Sequence, residues 1–181
     1  MIVCAGKSES FEFAYPIGIG MVVSAINLTQ LCLLDKPNYL LFVGSAGSYG
    51  DHKLFDIVQS TGAANVELSF LQGKSYPPID NVIISQFDGV SHETIVNSSN
   101  YITTDFHLAS EFKKHQIGLE NMEFFSVMQV AQEFNIPAAG IFIVTNYCDE
   151  NAHDDFTKNH KESIRMLDEY MRKNYVREKR A

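Results

Sequence analysis

The sequence predicts an α/β fold, because apolar runs of strand length alternate along it with segments of helical periodicity. Residues 39–43 form a continuous apolar run, which is typical of a strand covered on both faces. Residues 21–34 carry apolar side chains at helical spacing, and Pro37 follows closely, where it cannot continue a helix. Strands and helices in this order favour a sheet with parallel pairs, whose ligands gather at the carboxyl ends of the strands.

The other elements are predicted from the same two patterns. Strands are expected at residues 1–5, 11–15, 39–43, 55–60, within 63–70, around 82–87, at 101–103 and at 136–145. Helices are expected at residues 21–34, 104–115, 120–134 and 154–175. The strand at 39–43 is expected to end on Gly44-Ser45-Ala46-Gly47, whose small side chains allow a ligand to approach closely.

Composition excludes several classes of protein. The chain has 181 residues, of which 45% are hydrophobic, and no low-complexity tract, so we expect one domain spanning residues 1–181. A net charge of -8 argues against nucleic acid as a partner, since its binding needs clustered Lys and Arg. No apolar run approaches the ~18 residues of a membrane span, so no membrane partner is expected. Cys4, Cys32 and Cys148 lack CxxC spacing, which argues against disulfides or zinc and favours a reducing, cytoplasmic location.

Polar residues are concentrated where the predicted strands end. Ser45 follows the strand at 39–43, residues 103–105 lie at the end of the short strand at 101–103, and Asp149 follows the strand at 136–145. We expect these side chains to converge on one edge of the sheet. Glu123 stands among apolar residues of a predicted helix, where a carboxylate is costly unless it binds something polar. Together these positions predict a polar binding site.

Six short blocks carry a family resemblance. They are Gly18-Ile19-Gly20, Gly44-Ser45-Ala46-Gly47, Asp56-Ile57-Val58, Thr103-Thr104-Asp105, Met122-Glu123 and Cys148-Asp149. In this order they resemble the nucleoside phosphorylase-I family, especially its methylthioadenosine/S-adenosylhomocysteine nucleosidase branch. The resemblance spans most of the chain and implies a single-domain nucleoside phosphorylase-like fold, with a mixed central sheet flanked by helices. It also implies cleavage of the N-glycosidic bond of a purine nucleoside, by a homodimer or higher homo-oligomer whose sites are completed across subunits.

The resemblance gives the two carboxylates separate roles. Glu123 accepts hydrogen bonds from the ribose 2'- and 3'-hydroxyls, while Met122 packs against the sugar. Asp149 protonates N7 of the purine or shares a proton with it, because a shielded strand end raises a carboxyl pKa toward the working range. A purine leaves far more readily once it is protonated, so Asp149 is the predicted catalytic acid.

The resemblance also assigns the rest of the pocket. Donors to the nucleophile or the sugar come from Ser45, Gly44 and Gly20. Phe106 stacks on the base, in a pocket that includes Thr104 and Cys148, although Cys148 is more simply interpreted as a buried, inert thiol. In the nucleosidase branch a glutamate soon after the first strand activates water. Glu9 matches that position, with Glu12 as its rival.

Water is the expected nucleophile. A phosphate dianion is normally bound by several hydrogen-bond donors, commonly arginine side chains, and no arginine precedes Arg165. Lys7, near Glu9, is a partial substitute, and a partner subunit lending Arg165 or Arg172 is a further option, although a solvated helix face is the better default for both arginines. A phosphorylase is therefore the alternative enzyme. We expect no cofactor and no metal, with phosphate as a co-substrate only in that alternative.

Two alternatives lie outside this enzymatic prediction. Little more than a dozen residues separate the first strand from Gly18, where the family fits a helix and a strand pair, so part of the active-site wall is expected to be missing. The pocket is then either more open or completed by a neighbouring subunit. The third alternative is a catalytically silent homologue that binds a purine or nucleoside. Separately, His153, Asp154, Asp155 and His160 offer a metal-binding pattern, but a helix cap with a polar surface is favoured.

Overall fold

The fold is a mixed sheet with helices on both faces. The structure, a computed structural model, describes residues 1–176. Its strands are β1 (Ile2–Cys4), β2 (Tyr15–Pro16), β3 (Leu40–Ser48), β4 (Ile57–Ser60), β5 (Gly62–Ala64), β6 (Val82–Ile84), β7 (Ile95–Ser98), β8 (Ile117–Asn121) and β9 (Ala138–Tyr147). Its helices are α1 (Met21–Asp35), α2 (Leu68–Leu71), α3 (Phe106–Lys114), α4 (Phe124–Glu133) and α5 (Ala152–Asn174).

The nine strands pair in both directions. One path of the sheet runs β2-β1-β3-β8-β7-β5-β6, and β9 joins β3 to β4 off this path. β3 is parallel to β1 and β9, whereas it is antiparallel to β8. The predicted fold class, an α/β domain with a mixed central sheet, is therefore confirmed.

The two long strands at the centre of the sheet are apolar on both faces because helices cover both. On β3, Leu40 and Phe42 belong to one buried cluster, which also includes residues of α1 and α4. Leu41 and Val43 belong to a second cluster, which includes Leu167 of α5. The continuous apolar run at 39–43 thus has the cause inferred from the sequence, a strand buried between two layers of helices.

β3 changes partners halfway along one of its edges, and this change creates the site. Leu41 and Phe42 pair with β1, while Gly47 and Ser48 pair with β8. Between these two pairings lies Ser45, whose backbone N–H donates to a side chain rather than to a strand. β3 therefore runs through the small residues 44–47 instead of ending on them, which corrects the prediction.

Several predicted boundaries were wrong for identifiable reasons. The expected helix at 120–134 begins only at Phe124, because residues 117–121 form β8 beside β3 and β7. Residues 101–103 are irregular, and the neighbouring strand is β7, which periodicity did not reveal. Of the expected strand at 11–15, only Tyr15 enters a strand. Pairing with distant partners decides these short segments, and local sequence carries little of that information.

The terminal helix α5 has a solvated charged face. Arg165 pairs with Glu162 and Glu169 within the helix. Arg172 pairs with Asp168 and, 3.0 Å away, with Glu12. The solvated face expected for these two arginines is present, while Arg177 and Arg180 lie outside the described residues. Across residues 1–176, the helices are too short or too polar to cross a membrane.

Candidate active site

A cavity of about 400 Å³ opens at the carboxyl ends of the central strands. Its wall is built from the turn after β1, the ends of β3, β8 and β9, the first turns of α5, and residues 101–102. Four of the predicted site residues line it, namely Glu9, Ser45, Met122 and Glu123. A larger and more open groove, of about 1180 Å³, lies beside Phe13, Tyr39 and Phe87. The smaller cavity is the better candidate site, because it gathers the carboxylates.

Glu9 is held against Ser45 in the gap between β1 and β8. The turn that follows β1 is closed by two backbone hydrogen bonds between Gly6 and Glu9, with Gly6 at a φ of 90°. The Glu9 carboxylate accepts the backbone N–H of Ser45 at 3.0 Å and also accepts the Ser45 hydroxyl. A Cβ on Gly44 would lie 3.0 Å from Glu9 Oε2, so glycine keeps room for this contact. Glu12 instead pairs with Arg172 on the surface.

Glu123 is buried at the amino end of α4, with one protein donor on each carboxylate oxygen. Its side chain is not the cap of that helix: Asn121 Oδ1 caps α4 by accepting the N–H groups of Glu123 and Phe124, at 2.8 and 2.7 Å. Glu123 Oε1 accepts the N–H of Gly20 at 2.9 Å, and Oε2 accepts Asn121 Nδ2 at 2.9 Å. Gly20 adopts a φ of 83°, which other residues rarely take. Each oxygen keeps a lone pair for a ligand.

Burial raises the pKa of Glu123 from 4.5 to about 7, and the nearby Glu9 carboxylate adds to that rise. The N–H of Gly20 and the amide of Asn121 oppose it, because they stabilise the charged form. A ligand that donates hydrogen bonds to Glu123 also favours the charged form. Binding of such a ligand is therefore expected to strengthen as the pH rises through 7.

A second buried carboxylate, Glu120, lines the same cavity and was not predicted. Glu120 Oε2 accepts the Tyr49 hydroxyl at 2.8 Å and the Thr103 hydroxyl at 2.5 Å. Oε1 accepts the Thr103 N–H at 2.9 Å and, more weakly, the Cys148 thiol at 3.7 Å. Burial and then the Glu120 charge raise the pKa of Tyr49 and of Cys148, so both remain protonated donors near neutral pH.

The remaining predicted residues lie at or beyond the border of the cavity. Gly20 donates its N–H to Glu123 and Gly44 leaves room for Glu9, but neither glycine lines the cavity. Cys148 is buried behind Glu120. Asp149 is partly buried in the turn that precedes α5, where its Oδ1 accepts the N–H of Asn151 at 2.8 Å. Asp149 does not line the cavity, so its catalytic role stays a prediction.

The aromatic rings of Tyr101 and Phe156 line the cavity, whereas that of Phe106 does not. Tyr101 and Ile102 line the wall, whereas Thr104 and Phe106 are exposed outside it. Asp105 caps α3 by accepting the N–H groups of the next turn, which turns Phe106 away with the helix. The strand predicted at 101–103 does not form, because these residues are irregular. Tyr101 lies in an irregular segment and Phe106 at the start of α3. The local sequence pattern does not show where the first segment ends and the helix begins.

His153 lies on the cavity wall. His160 lies about two helical turns further along α5, where its Nε2 is 3.1 Å from the Ser8 carbonyl oxygen. Asp154 and Asp155 occupy the first turn of α5, where negative charge is favourable. Among residues 1–176, no group of three or more His, Cys, Asp or Glu side chains is arranged to hold a metal ion. The first-turn position of Asp154 and Asp155 agrees with the favoured helix-terminus interpretation.

Comparison with known proteins gives a family match. The family model described as the Phosphorylase superfamily matches residues 2–173. Curated protein sequences give no significant match.

Solved structures match over nearly the whole chain. A 5'-methylthioadenosine/S-adenosylhomocysteine nucleosidase from Helicobacter pylori superposes with a TM-score of 0.79 at 18% identity, covering 95% of this chain and 95% of that chain. A mutant futalosine hydrolase from the same species gives 0.77 at 19% identity, with 94% and 95% covered. The 5'-methylthioadenosine/S-adenosylhomocysteine nucleosidase from Neisseria meningitidis gives a TM-score of 0.75 at 18% identity, with 92% of this chain and 94% of that chain covered.

Proposed function

Because the chain belongs to the phosphorylase superfamily, we propose that it cleaves the N-glycosidic bond of a purine nucleoside, with water as the nucleophile. One observation carries the proposal: the carboxylates of Glu9 and Glu123 face the same cavity at the strand ends. Cleavage of this bond passes through an oxocarbenium-like centre, which negative charge stabilises. The nucleosidases whose structures superpose on this chain support the same reaction class.

Glu123 is the proposed sugar-binding group. Its two oxygens are fixed by Gly20 and Asn121, and each retains a lone pair that can accept a ribose hydroxyl. The partly buried Met122 lies beside it on the cavity wall, where its thioether suits packing against the sugar. This arrangement would hold the 2'- and 3'-hydroxyls in the cavity that Glu9 and Ser45 also line.

Glu9 is the proposed base that activates water. It already accepts two hydrogen bonds from Ser45, one from the backbone and one from the hydroxyl, so its carboxylate is oriented before a ligand arrives. A water molecule held by Glu9 would lose its proton to the carboxylate as its oxygen attacks C1'. Asp149 is the proposed acid for the departing base, after a change of its side-chain position.

The charge of the cavity supports water over phosphate. Among the described residues, the lining includes three glutamates but no Lys or Arg. A phosphate dianion would meet Glu9, Glu120 and Glu123 without the cationic donors that normally hold it. Water carries no charge and needs only an acceptor and a base.

The test is release of free base from adenosine, inosine, 5'-methylthioadenosine and S-adenosylhomocysteine, measured in phosphate-free buffer. Wild type is expected to release base from at least one of them. Glu9→Gln is expected to lower kcat by roughly 10²- to 10⁴-fold, the usual worth of a general base, with KM little changed. Glu12→Gln is the matched control, because Glu12 is a surface carboxylate of the same segment paired with Arg172. Equal losses in both variants would contradict the role of Glu9.

Binding without turnover is a second candidate, which one observation favours. Asp149 lies outside the cavity and is engaged with the backbone of Asn151, so the acid for the leaving base is not in contact with the cavity. Saturable purine binding with no base release from any of the four nucleosides would favour this candidate.

A further inference from the structure

The cavity contains a carboxylate that the proposed reaction does not use. Glu120 is only 6% exposed, yet it forms part of the cavity wall. A carboxylate so deeply buried is costly unless its oxygens are well satisfied. Tyr49 and Thr103 satisfy three of the lone-pair positions, at 2.5 to 2.9 Å.

The fourth position of Glu120 is the weak one. Its partner is the thiol of Cys148, 3.7 Å from Oε1, and a thiol is a poor hydrogen-bond donor. A ligand N–H that enters the cavity therefore competes for this lone pair with the weakest of the four donors. The other three bonds fix the carboxylate in place, so little reorganisation is needed when such a ligand binds.

Strand register places Glu120 at a defined distance from the sugar end of the cavity. Ser45, which holds Glu9, lies two residues before Gly47 on β3, a span of about 7 Å. Gly47 pairs with Glu120 on one side and with Asn146 on the other. A nucleoside whose sugar lies at Glu9 and Glu123 thus has room to extend its base along β3 toward Glu120.

We propose that Glu120 determines base preference, by accepting a hydrogen bond from an N–H group on the edge of the base farthest from the sugar. The ligands favoured are purines that carry such a donor, for example a 6-amino group. Thr103 connects Glu120 to the wall formed by Tyr101 and Ile102, so the same carboxylate positions that wall. The proposal relies on the proposed function only for the orientation of the nucleoside.

The test is calorimetric binding of free adenine, purine and N6,N6-dimethyladenine, which requires no turnover. Wild type is expected to bind adenine at least about tenfold more tightly than the other two, since one good hydrogen bond to a charged acceptor is worth about that much. Glu120→Gln is expected to reduce this ratio to below about threefold. An unchanged ratio in Glu120→Gln, or a wild type that does not distinguish the bases, would overturn the proposal.

Two smaller substitutions keep the test valid if Glu120→Gln does not fold. Cys148→Ser places a stronger donor on the same lone pair and is expected to lower the adenine-to-purine ratio. Cys148→Ala removes the competing donor and is expected to keep or raise the ratio. The same ratio in Cys148→Ser and Cys148→Ala would contradict the proposal. Because these assays measure only binding, base selection by Glu120 and hydrolysis of nucleosides succeed or fail separately.

Discussion

At the scale of single residues, the site depends on where each carboxylate finds its donors. Glu9 and Glu12 are three residues apart, but only Glu9 reaches Ser45, while Glu12 reaches Arg172 on α5. Glu123 accepts a hydrogen bond from the N–H of Gly20, which lies 103 residues away in sequence. These hydrogen-bond partners place Glu9 and Glu123 at the cavity, whereas Glu12 stays on the surface.

Glu123 is expected to make folding stability depend on pH. Its folded-state pKa of about 7 exceeds the ordinary value of 4.5, so the folded chain binds this proton more tightly than the unfolded chain. The resulting stabilisation is fully present below pH 4.5 and is lost as the pH rises through 7. Glu123→Gln lacks this dependence. Between pH 4.5 and 8, its free energy of unfolding should therefore rise relative to that of wild type by on the order of 3 kcal/mol.

Urea unfolding of wild type and Glu123→Gln at several pH values measures this difference. The difference between the two proteins isolates Glu123, because all other titrating groups are shared. A difference that stays constant with pH would mean that Glu123 titrates normally in the folded protein.

Sequence predicted these residues unevenly, for physical reasons. Glu123 stood out because a carboxylate among apolar residues is costly unless it binds something polar. Glu9 was identified only through the family resemblance, since a solvated loop carboxylate explains its position in the sequence equally well. Glu120 was hidden, because the helical pattern that begins at residue 124 was extended backwards over β8. Tyr101 was overlooked in favour of Phe106, since only the tertiary path of residues 99–105 determines which ring faces the cavity.

At the scale of elements, the junction of β8 and α4 positions the sugar-binding carboxylate. Asn121 ends the strand, caps the helix through two N–H groups, and donates to Glu123 Oε2. One side chain therefore fixes both the start of α4 and the orientation of Glu123.

Asn121→Ala is expected to destabilise the fold by about 1–2 kcal/mol, the usual cost of losing a helix cap. It should also raise KM for nucleosides, because Glu123 loses a donor that orients it. Denaturant unfolding and steady-state kinetics check the two effects. Gln132→Ala, at an exposed position on the same helix, is the control and should leave both nearly unchanged. A normal KM in Asn121→Ala would show that Glu123 does not need this contact.

The order of elements was more predictable than their ends. The strand β9 and the helices α1 and α5 follow from long, regular patterns, and each was predicted to within a few residues. The partner exchange along β3 was not predictable, because it depends on where β1 stops and β8 begins. That exchange leaves the Ser45 N–H available to Glu9, so the feature that makes the site arises from tertiary structure.

At the scale of the whole molecule, an apolar surface lies next to the cavity. α1 begins beside residue 100, since the Met21 N–H donates to Asn100. Exposed apolar side chains from this region are Ile19, Val22, Val23, Ile26, Tyr101 and Ile102. A concentration of exposed apolar side chains is typical of protein interfaces. We propose that a second copy of the chain covers it.

Sedimentation equilibrium tests this assembly. Wild type is expected at twice the chain mass of 20.4 kDa. Ile26→Asp places a charge on the apolar face of α1 and is expected to shift the protein to the monomer mass. Ile79→Asp, at another exposed isoleucine outside the helices, is the control and should remain dimeric. A wild-type monomer would contradict the proposed assembly.

The central claim is that water, activated at Glu9, attacks the sugar, and the identity of the sugar product tests it most directly. The reaction is run with a nucleoside that the protein cleaves, in the presence and in the absence of saturating phosphate. The sugar products are then identified by mass spectrometry. We predict free ribose or its 5'-substituted form under both conditions, at equal rates. A sugar 1-phosphate, formed only when phosphate is present, would contradict the account and identify the protein as a phosphorylase.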